Sequence, residues 1–271
     1  MTKRSAILIA SPTANTSMVR SKETLHGTFN DIDNWKRFLQ HPIGGCWLDE
    51  EIYDLSGDNR QFLFEIISKL KDVDYVFLAY SGHGYTDNRD DFIFMNYGND
   101  VFSVKEIQNA ICDAKSDIKG TLIFDSCRCL PKEEVFISER KSSLNESIDE
   151  ELLSISRKQW DNLFKDVKSQ GLVTIQTCKR YQESYMKHPY FDKSIYSWFM
   201  YNEGFCSIPP LNVGAAFQSA SPKTTSEARN VNKKLQEPQC DNETADYPFS
   251  LGKGETCINQ AAAICQKVFE D

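Results

Sequence analysis

Short apolar runs alternate with stretches of helical periodicity along most of the chain. Apolar runs of roughly four to eight residues predict buried strands, and apolar positions three or four residues apart predict amphipathic helices. Strands are predicted at 5–10, 74–80, 121–125, 172–177 and 247–251, with one side of a hairpin at 92–95. Helices are predicted at 31–40, 59–70, 103–113 and 194–201, the second capped by Asp58 and the third by Ser103. This alternation predicts an α/β fold with a largely parallel sheet covered on both faces.

Two polar stretches interrupt the alternation. Between 128 and 170 the sequence turns polar and charged, which predicts an exposed linker that is in part a mobile loop. A second polar stretch, 221–246, separates a helix from the last predicted strand. The segment 257–269 has the pattern of a surface helix, and the pattern does not indicate its role.

Composition and charge narrow the possible classes of protein. The chain has 271 residues, of which 40% are hydrophobic, enough for the core of one large domain or two small ones. No apolar run has the length of a membrane span, and the run near the start is too short for a signal peptide, so the cytoplasm is the expected location. The net charge of -8 argues against binding to nucleic acid and suits a site that attracts basic peptides.

The cysteines are many but irregularly spaced. Nine are present, and an odd number without regular spacing predicts reduced thiols instead of a disulfide framework. Because there is no CxxC pair and only four histidines occur, a structural zinc site is not expected.

Two reactive side chains follow the ends of successive predicted strands. His83 comes after the strand 74–80, in the sequence AYSGHG, and Cys127 comes after the strand 121–125, in IFDSCRC. The carboxyl ends of neighbouring parallel strands converge at one edge of a sheet, where ligands bind. A lone cysteine at a strand end is usually a core residue and a lone histidine in a glycine-rich loop is usually a turn residue. Their combination predicts a catalytic pair.

Such a pair has the chemistry of a thiol nucleophile. A free thiol has a pKa of about 8.5 and is mostly protonated at neutral pH. A nearby imidazole takes its proton and later protonates the leaving amine. The glycines beside His83 allow a sharp turn and a close approach to a substrate. The backbone N–H groups of Gly84 and Cys127 are candidate oxyanion donors, each worth roughly 3–4 kcal/mol.

These segments, in this order, resemble the caspase and metacaspase group of cysteine peptidases. The resemblance covers most of residues 5–251, and its parts are LHGTFNDIDNWKRFL at 25–39, YSGHG, FDSC, LVTIQTCKRYQES, LQEPQ and DYPFSLG. It implies a six-stranded, mostly parallel sheet flanked by helices. It also implies one peptidase domain over 1–271, with a large-subunit-like part at 1–130, a variable linker at 131–170, a small-subunit-like part at 171–251 and a C-terminal tail at 252–271.

The residue two before the proposed nucleophile, Asp125, bears on specificity. Caspases proper typically have glutamine there and cut after aspartate, whereas a carboxylate attracts a basic substrate. Metacaspases, which cut after Arg or Lys, are similar in having this aspartate, a second one matching Asp31 and a pocket serine matching Ser81. The three residues are therefore expected to bind a basic side chain through charge-assisted hydrogen bonds. Alternatively, Asp31 only stabilises a helix N-terminus and Asp125 only orients a loop. Thr28 stands where the family often has a cysteine.

Many metacaspases need calcium, and the loop after the histidine is acidic. Its oxygen ligands suit a hard cation by type, but their spacing is not that of an EF-hand. A solvated acidic loop is therefore favoured over a calcium site, and no cofactor is expected. The residues concerned are Asp87, Asp90, Asp91 and Asp100.

The sequence thus predicts an endopeptidase that cleaves proteins or peptides after Arg or Lys through an acyl-enzyme on Cys127. A caspase-fold peptidase with another specificity and a catalytically silent scaffold that binds partners are the alternatives. Self-cleavage is expected between 128 and 170, where basic pairs occur at 140–141 and 157–158.

Overall fold

The strands and helices follow the predicted alternation. A computed structural model of the chain describes residues 1–14, 24–25, 27–129, 150–185 and 193–254. The strands are β1 (Arg4–Ser11), β2 (Ile52–Asp54), β3 (Tyr75–Gly82), β4 (Gly84–Thr86), β5 (Asp91–Met95), β6 (Asp100–Ser103), β7 (Lys119–Ser126), β8 (Leu172–Gln176), β9 (Leu211–Asn212), β10 (Gln239–Cys240) and β11 (Pro248–Ser250). The helices are α1 (Gly27–Gln40), α2 (Arg60–Ser68), α3 (Val104–Ala114), α4 (Glu150–Lys165), α5 (Ile195–Cys206) and α6 (Val213–Asn232). Within these ranges no helix is long and apolar enough to cross a membrane.

Six strands form the central sheet, in the spatial order β2, β1, β3, β7, β8, β10. Neighbouring strands run parallel except β10, which is antiparallel to β8. The predicted six-stranded, mostly parallel sheet is therefore confirmed. The hairpin expected at 92–95 is part of a separate antiparallel sheet made of β4, β5 and β6, inserted between β3 and α3.

Alternate side chains of the central strands bury both faces of the sheet. Leu8 and Phe77 belong to a core with α1, α4, α5 and α6, whereas Ile7 and Leu78 pack against α2 and α3 on the other face. Successive residues of a strand point to opposite faces, so a strand covered on both sides is a continuous apolar run. The prediction that helices cover both faces is confirmed.

The polar stretch 128–170 contains a helix that the sequence pattern did not predict. α4 buries Trp160, which is 1% exposed and stacks on Phe164 with ring centroids 5.2 Å apart. Another buried position of α4 is Arg157, whose guanidinium pairs with Glu51 at 2.7 Å. Because an ion pair occupies part of the buried face, the face lacks the apolar periodicity that indicates a helix.

The second polar stretch also differs from its prediction, because α6 continues through Pro222 to Asn232. The buried positions in this part of α6 are Ala220, Thr224 and Ala228, four residues apart and each 0% exposed. The Thr224 hydroxyl donates to the carbonyl of Ala220 at 3.0 Å, so its burial leaves no unpaired hydroxyl. Small and hydroxyl-bearing residues give little hydrophobic contrast, so the buried side of this part of α6 reads as polar sequence.

One predicted cap is confirmed and one is wrong. The side chain of Ser103 accepts a hydrogen bond from the N–H of Glu106 at 3.1 Å, which caps α3 as expected. α2 is capped by Asn59, which accepts from the N–H of Phe62 at 3.1 Å, and not by Asp58. The segment 257–269 lies outside the described residues.

Candidate active site

His83 and Cys127 follow the carboxyl ends of two neighbouring strands. β3 and β7 are parallel, and their register places Ser81 opposite Asp125 and the following residues, Gly82 and Ser126, opposite each other. His83 and Cys127 come next in each segment, so both lie at the same edge of the sheet, where parallel strands present their functional loops. His83 is 8% exposed and Cys127 is partly exposed.

Gly84 brings the backbone of the histidine loop against the loop of Cys127. A β-carbon added to Gly84 would lie 2.7 Å from the Cβ atom of Ser126 and 2.9 Å from the backbone oxygen of Cys127. Both distances are too short for a side chain, so this contact between the two loops requires glycine. The backbone at Gly84 therefore packs directly against Ser126 and Cys127.

Hydrogen bonds fix the backbone of His83 on both sides. Its N–H donates to the carbonyl of Ser11 at 3.3 Å, and its own carbonyl accepts from the hydroxyl of Tyr80 at 2.6 Å. The Tyr80 hydroxyl in turn accepts from the N–H of Phe94 in β5 at 3.2 Å. The position of His83 is thus tied to β1, β3 and β5.

The environment of Cys127 favours the neutral thiol. Its sulfur lies 3.5 Å from the carbonyl oxygen of Ser184, to which the thiol donates. Burial raises the pKa of Cys127 to about 12; a backbone hydrogen bond with Ser184 opposes this increase, and the nearby Cys129, Glu183 and Asp125 add to it. A reactive thiolate at neutral pH therefore requires a base, and His83 at the end of the neighbouring strand is the candidate for it.

Asp31 and Asp125 form a buried pair of carboxyl groups next to these loops. Both are 0% exposed. The hydroxyl of Ser81 donates to Asp31 at 2.8 Å, and Ser81 is also the residue opposite Asp125 in the sheet. Ser194 connects the two acids, because its N–H donates to Asp31 at 3.0 Å and its hydroxyl donates to Asp125. The structure therefore brings together the three residues that the sequence assigned to a pocket.

Asp125 is surrounded by hydroxyl groups that sequence reasoning missed. Its Oδ1 atom accepts from Thr177 at 3.0 Å and from Ser184 at 2.7 Å. Its Oδ2 atom accepts from Ser194 and, at 2.7 Å, from Ser197. A hydrogen bond to a charged group contributes roughly 1.5–3 kcal/mol, so these donors stabilise a carboxylate whose burial would otherwise be costly. Their only sequence signal is the abundance of Ser and Thr after β8 and at the start of α5, which is equally typical of turns and caps.

Asp31 ionises less readily than an exposed aspartate. Burial raises the pKa of Asp31 well above its ordinary value, and the neighbouring Asp125 carboxylate raises it further. Lys193, the residue before Ser194, lies close enough to interact with Asp31. Burial lowers the pKa of Lys193, and the charge of Asp31 partly opposes this effect. The acid pair therefore favours a cation beside it, and a lysine of this chain already interacts with it.

The aspartates of the acidic loop serve mainly the protein's own structure. Asp87, Asp90 and Asp100 accept hydrogen bonds from backbone N–H or hydroxyl groups, and Asp91 forms an ion pair with Arg128 at 2.7 Å. The expected solvated loop is wrong for Asp91, whose side chain is 14% exposed because the arginine covers it. Across the described part of the chain, no three His, Cys, Asp or Glu side chains are grouped as ligands of a metal ion. In the structure these carboxylates are bound by groups of the protein itself.

Comparisons with known proteins agree with this architecture. A family model described as the caspase domain matches residues 4–244. Among solved structures, the crystal structure of caspase-1 from Spodoptera frugiperda has a similar fold, with a TM-score of 0.59 over 94% of this chain and 92% of that chain, at 10% sequence identity. No curated protein matches the sequence. Because the family model spans nearly the whole sheet and both candidate loops, the chain belongs to the caspase-domain family and is a cysteine peptidase.

Proposed function

We propose that the protein is an endopeptidase that cleaves after Arg or Lys, with Cys127 as nucleophile and His83 as acid and base. One observation carries the proposal, namely the parallel register of β3 and β7. It puts His83 and Cys127 at one edge of the sheet, and it puts Ser81 and Asp125 just before them. Ser81 and Asp125 of the candidate pocket therefore lie on the same two strands as the candidate dyad. A substrate side chain bound by these residues would then belong to the residue whose carbonyl reaches the sulfur.

In the proposed reaction, Cys127 passes its proton to His83 as the sulfur attacks the substrate carbonyl. Concerted transfer is needed because the raised pKa of the thiol leaves little free thiolate. The new carbon–sulfur bond moves the carbonyl electron pair to oxygen, where the N–H groups of Gly84 and Cys127 would donate. His83 then protonates the leaving amine as the carbon–nitrogen bond breaks. A water molecule then attacks the thioester and gives its proton to His83; the carbon–sulfur bond breaks, and the sulfur takes the proton back from His83. Apart from this water, every group in the cycle belongs to the chain or the substrate.

The acid pair supports a basic residue before the cut bond. An aspartate side chain at this place would face the negative charge of Asp125 and the carboxyl group of Asp31, whereas Arg or Lys supplies the opposite charge. A bound cation also favours ionisation of Asp31, which its surroundings otherwise oppose. The interaction between Lys193 and Asp31 is an internal example of the same preference. This specificity is the one that metacaspases have.

Cleavage of a peptide library tests the proposal. With the residue before the cut bond varied, we expect kcat/KM for Arg and Lys to exceed that for Asp by about a hundredfold or more, because an unpaired buried charge costs several kcal/mol. Peptides that differ only at this position are matched controls. Preferred cleavage after an uncharged or acidic residue would favour another caspase-fold specificity. If neither peptides nor a thiol-reactive peptide probe react at Cys127, the scaffold alternative would be favoured instead.

We also propose self-cleavage, but at fewer places than the sequence suggested. The pair at 157–158 is a poor target, because Arg157 is buried and forms two hydrogen bonds with Glu51, at 2.7 and 2.8 Å. Lys158 is exposed, but it lies within α4, and a protease needs an extended segment. The pair Arg140-Lys141 lies outside the described residues and matches the proposed specificity. We therefore expect cuts after Arg140 or Lys141.

Incubating the wild type beside Cys127→Ala and then sequencing new N-termini checks this expectation. New termini should appear in the wild type alone, and the double variant Arg140→Ala/Lys141→Ala should stay intact. Cuts after Lys158 would show that α4 opens, contrary to the expectation. A wild type that is active yet uncut would contradict self-cleavage itself.

A further inference from the structure

Arg128, which directly follows the proposed nucleophile, is held in a buried ion pair with Asp91. Its Nε atom lies 3.0 Å from Oδ1 of Asp91, and its Nη2 atom lies 2.7 Å from Oδ2. The two side chains are 7% and 14% exposed. A bidentate arginine–carboxylate pair fixes orientation as well as distance. The proposed chemistry uses neither residue, so the pair requires another explanation.

This ion pair joins the loop of Cys127 to the hairpin that directly follows His83. Asp91 begins β5 and lies opposite Thr86, the last residue of β4, and the Thr86 hydroxyl donates to the Asp91 carboxylate. β4 begins immediately after His83. On the other side, Arg128 is bonded covalently to Cys127. The pair is therefore a short bridge between the segments that carry the two proposed catalytic residues.

Arg128 is also bound to the second half of the domain. Its Nη1 atom donates to the carbonyl of Cys178 at 2.9 Å and to the side chain of Gln239 at 2.8 Å. Its backbone N–H donates to Gln182 at 2.9 Å, and its carbonyl accepts from Tyr181 at 2.7 Å. Because these partners follow β8 or lie in β10, the residue after the nucleophile cannot move without breaking contacts in several segments.

We propose that Asp91 and Arg128 are positioning residues that set the distance and orientation of Cys127 relative to His83. The inference rests on the proposed roles of those two residues. Proton transfer and attack require close alignment, and a displacement of about 1 Å can lower the rate by about a hundredfold. Loss of the pair should therefore lower the rate of the chemical step and the reactivity of the thiol, with little change in substrate binding.

Asp91→Asn tests the inference, because it keeps the shape of the side chain and removes its charge. We expect kcat on an Arg peptide to fall by about ten- to a hundredfold while KM stays within about threefold. Alkylation of Cys127 by iodoacetamide at neutral pH, followed by mass spectrometry, should slow in parallel. Arg128→Lys keeps the charge but loses the bidentate geometry, so we expect the same fall in kcat and in the alkylation rate, with little change in KM. This variant replaces Asp91→Asn in the test if Asp91→Asn does not fold.

Glu51→Gln is the matched control. Glu51 forms a bidentate pair with Arg157 whose side chains are 12% and 9% exposed. This pair lies beside Arg4 at the amino end of β1, away from the edge that carries Cys127. Each of the two acids pairs with two arginines, Glu51 with Arg4 and Arg157 and Asp91 with Arg128 and, at 3.8 Å, Arg180. We therefore expect Glu51→Gln to lower Tm about as much as Asp91→Asn, but to leave kcat within about twofold.

Three results would overturn the inference. The first is an Asp91→Asn variant with kcat and alkylation within about twofold of the wild type. The second is an equal loss of kcat in Glu51→Gln, which would indicate general destabilisation. The third is a loss confined to KM. If the wild type cleaves no peptide, the proposed function fails, but the alkylation of Cys127 still decides whether the ion pair positions the thiol.

Discussion

Replacing Cys127 by alanine is expected to lower peptide cleavage by about 10³- to 10⁶-fold without unfolding the protein. The sulfur is the only proposed nucleophile, and the substitution removes one partly exposed atom from the end of β7. His83→Ala should cause a loss of similar size. Because the two residues act as one unit, the double variant should be little worse than either single variant. Steady-state kinetics on an Arg peptide, with Tm as a check on folding, measures these effects.

Cys129→Ala is the matched control for this prediction. Cys129 is two residues further along the chain and is also partly exposed, so its loss tests whether any nearby thiol is sufficient. We expect Cys129→Ala to keep its activity. Substantial turnover by Cys127→Ala would end the assignment, and Cys129 would then be the next nucleophile to test.

The protonation state of Cys127 gives a second measurement of the same pair. Because burial raises the pKa of Cys127, the thiol should react with iodoacetamide only at strongly alkaline pH unless a base takes its proton. If His83 is that base, as proposed, alkylation of the wild type should proceed near neutral pH. His83→Ala should lose this reaction near neutral pH and regain it in strong alkali. Equal rates in both proteins at neutral pH would contradict a role for His83 as the base.

Replacing Asp125 by asparagine is expected to lower kcat/KM for Arg peptides by about 30-fold to several thousandfold, which corresponds to about 2–5 kcal/mol. Asp125 is 0% exposed and its carboxylate is held by hydroxyl donors on both oxygens, so its charge is fixed in place. Cleavage after uncharged residues should fall much less, which distinguishes lost specificity from lost catalysis. Ser197→Ala, which removes one donor and leaves the charge, is the control and should have a small effect. An unchanged preference in Asp125→Asn would refute the pocket.

Asp31→Asn should also weaken the preference for Arg. In addition, it should make the stability of the protein depend less on pH. Because its pKa is raised in the folded protein, the folded state disfavours ionisation of Asp31. The free energy of unfolding is then reduced as the pH rises above the unfolded value of about 3.9. Asparagine cannot ionise, so Tm of the variant should fall less than Tm of the wild type between about pH 5 and pH 8. A larger fall in the variant would contradict this electrostatic account.

The hydrophobic pattern was sufficient to predict the four longest strands of the central sheet, β1, β3, β7 and β8, and the strand ends that matter for the site. It did not predict the short strands β2 and β10, and the number six came from the family resemblance. β1, β3 and β7 are covered on both faces, and such strands are continuous apolar runs whatever packs against them. The carboxyl end of each run marks the edge of the sheet, so the places of His83 and Cys127 followed from the same pattern. The pattern failed for α4, where Arg157 occupies a buried position by pairing with Glu51. Because this buried position holds a charged residue, the apolar periodicity that predicts a helix is interrupted there.

Only the tertiary structure decided what surrounds the candidate catalytic residues. The donors to Asp125 come from the segment after β8 and from α5, which are far from Asp125 along the chain. Only the fold brings them close to the same carboxylate. Asp91 was assigned to a solvated acidic loop, yet it begins β5, and Arg128 covers it and connects the two candidate catalytic loops. Hydrophobic periodicity indicates which positions are buried. It does not indicate which buried polar groups form hydrogen bonds or ion pairs with one another. The sequence therefore determined the sheet and the two strand ends, whereas the partners of the buried charges depended on the fold.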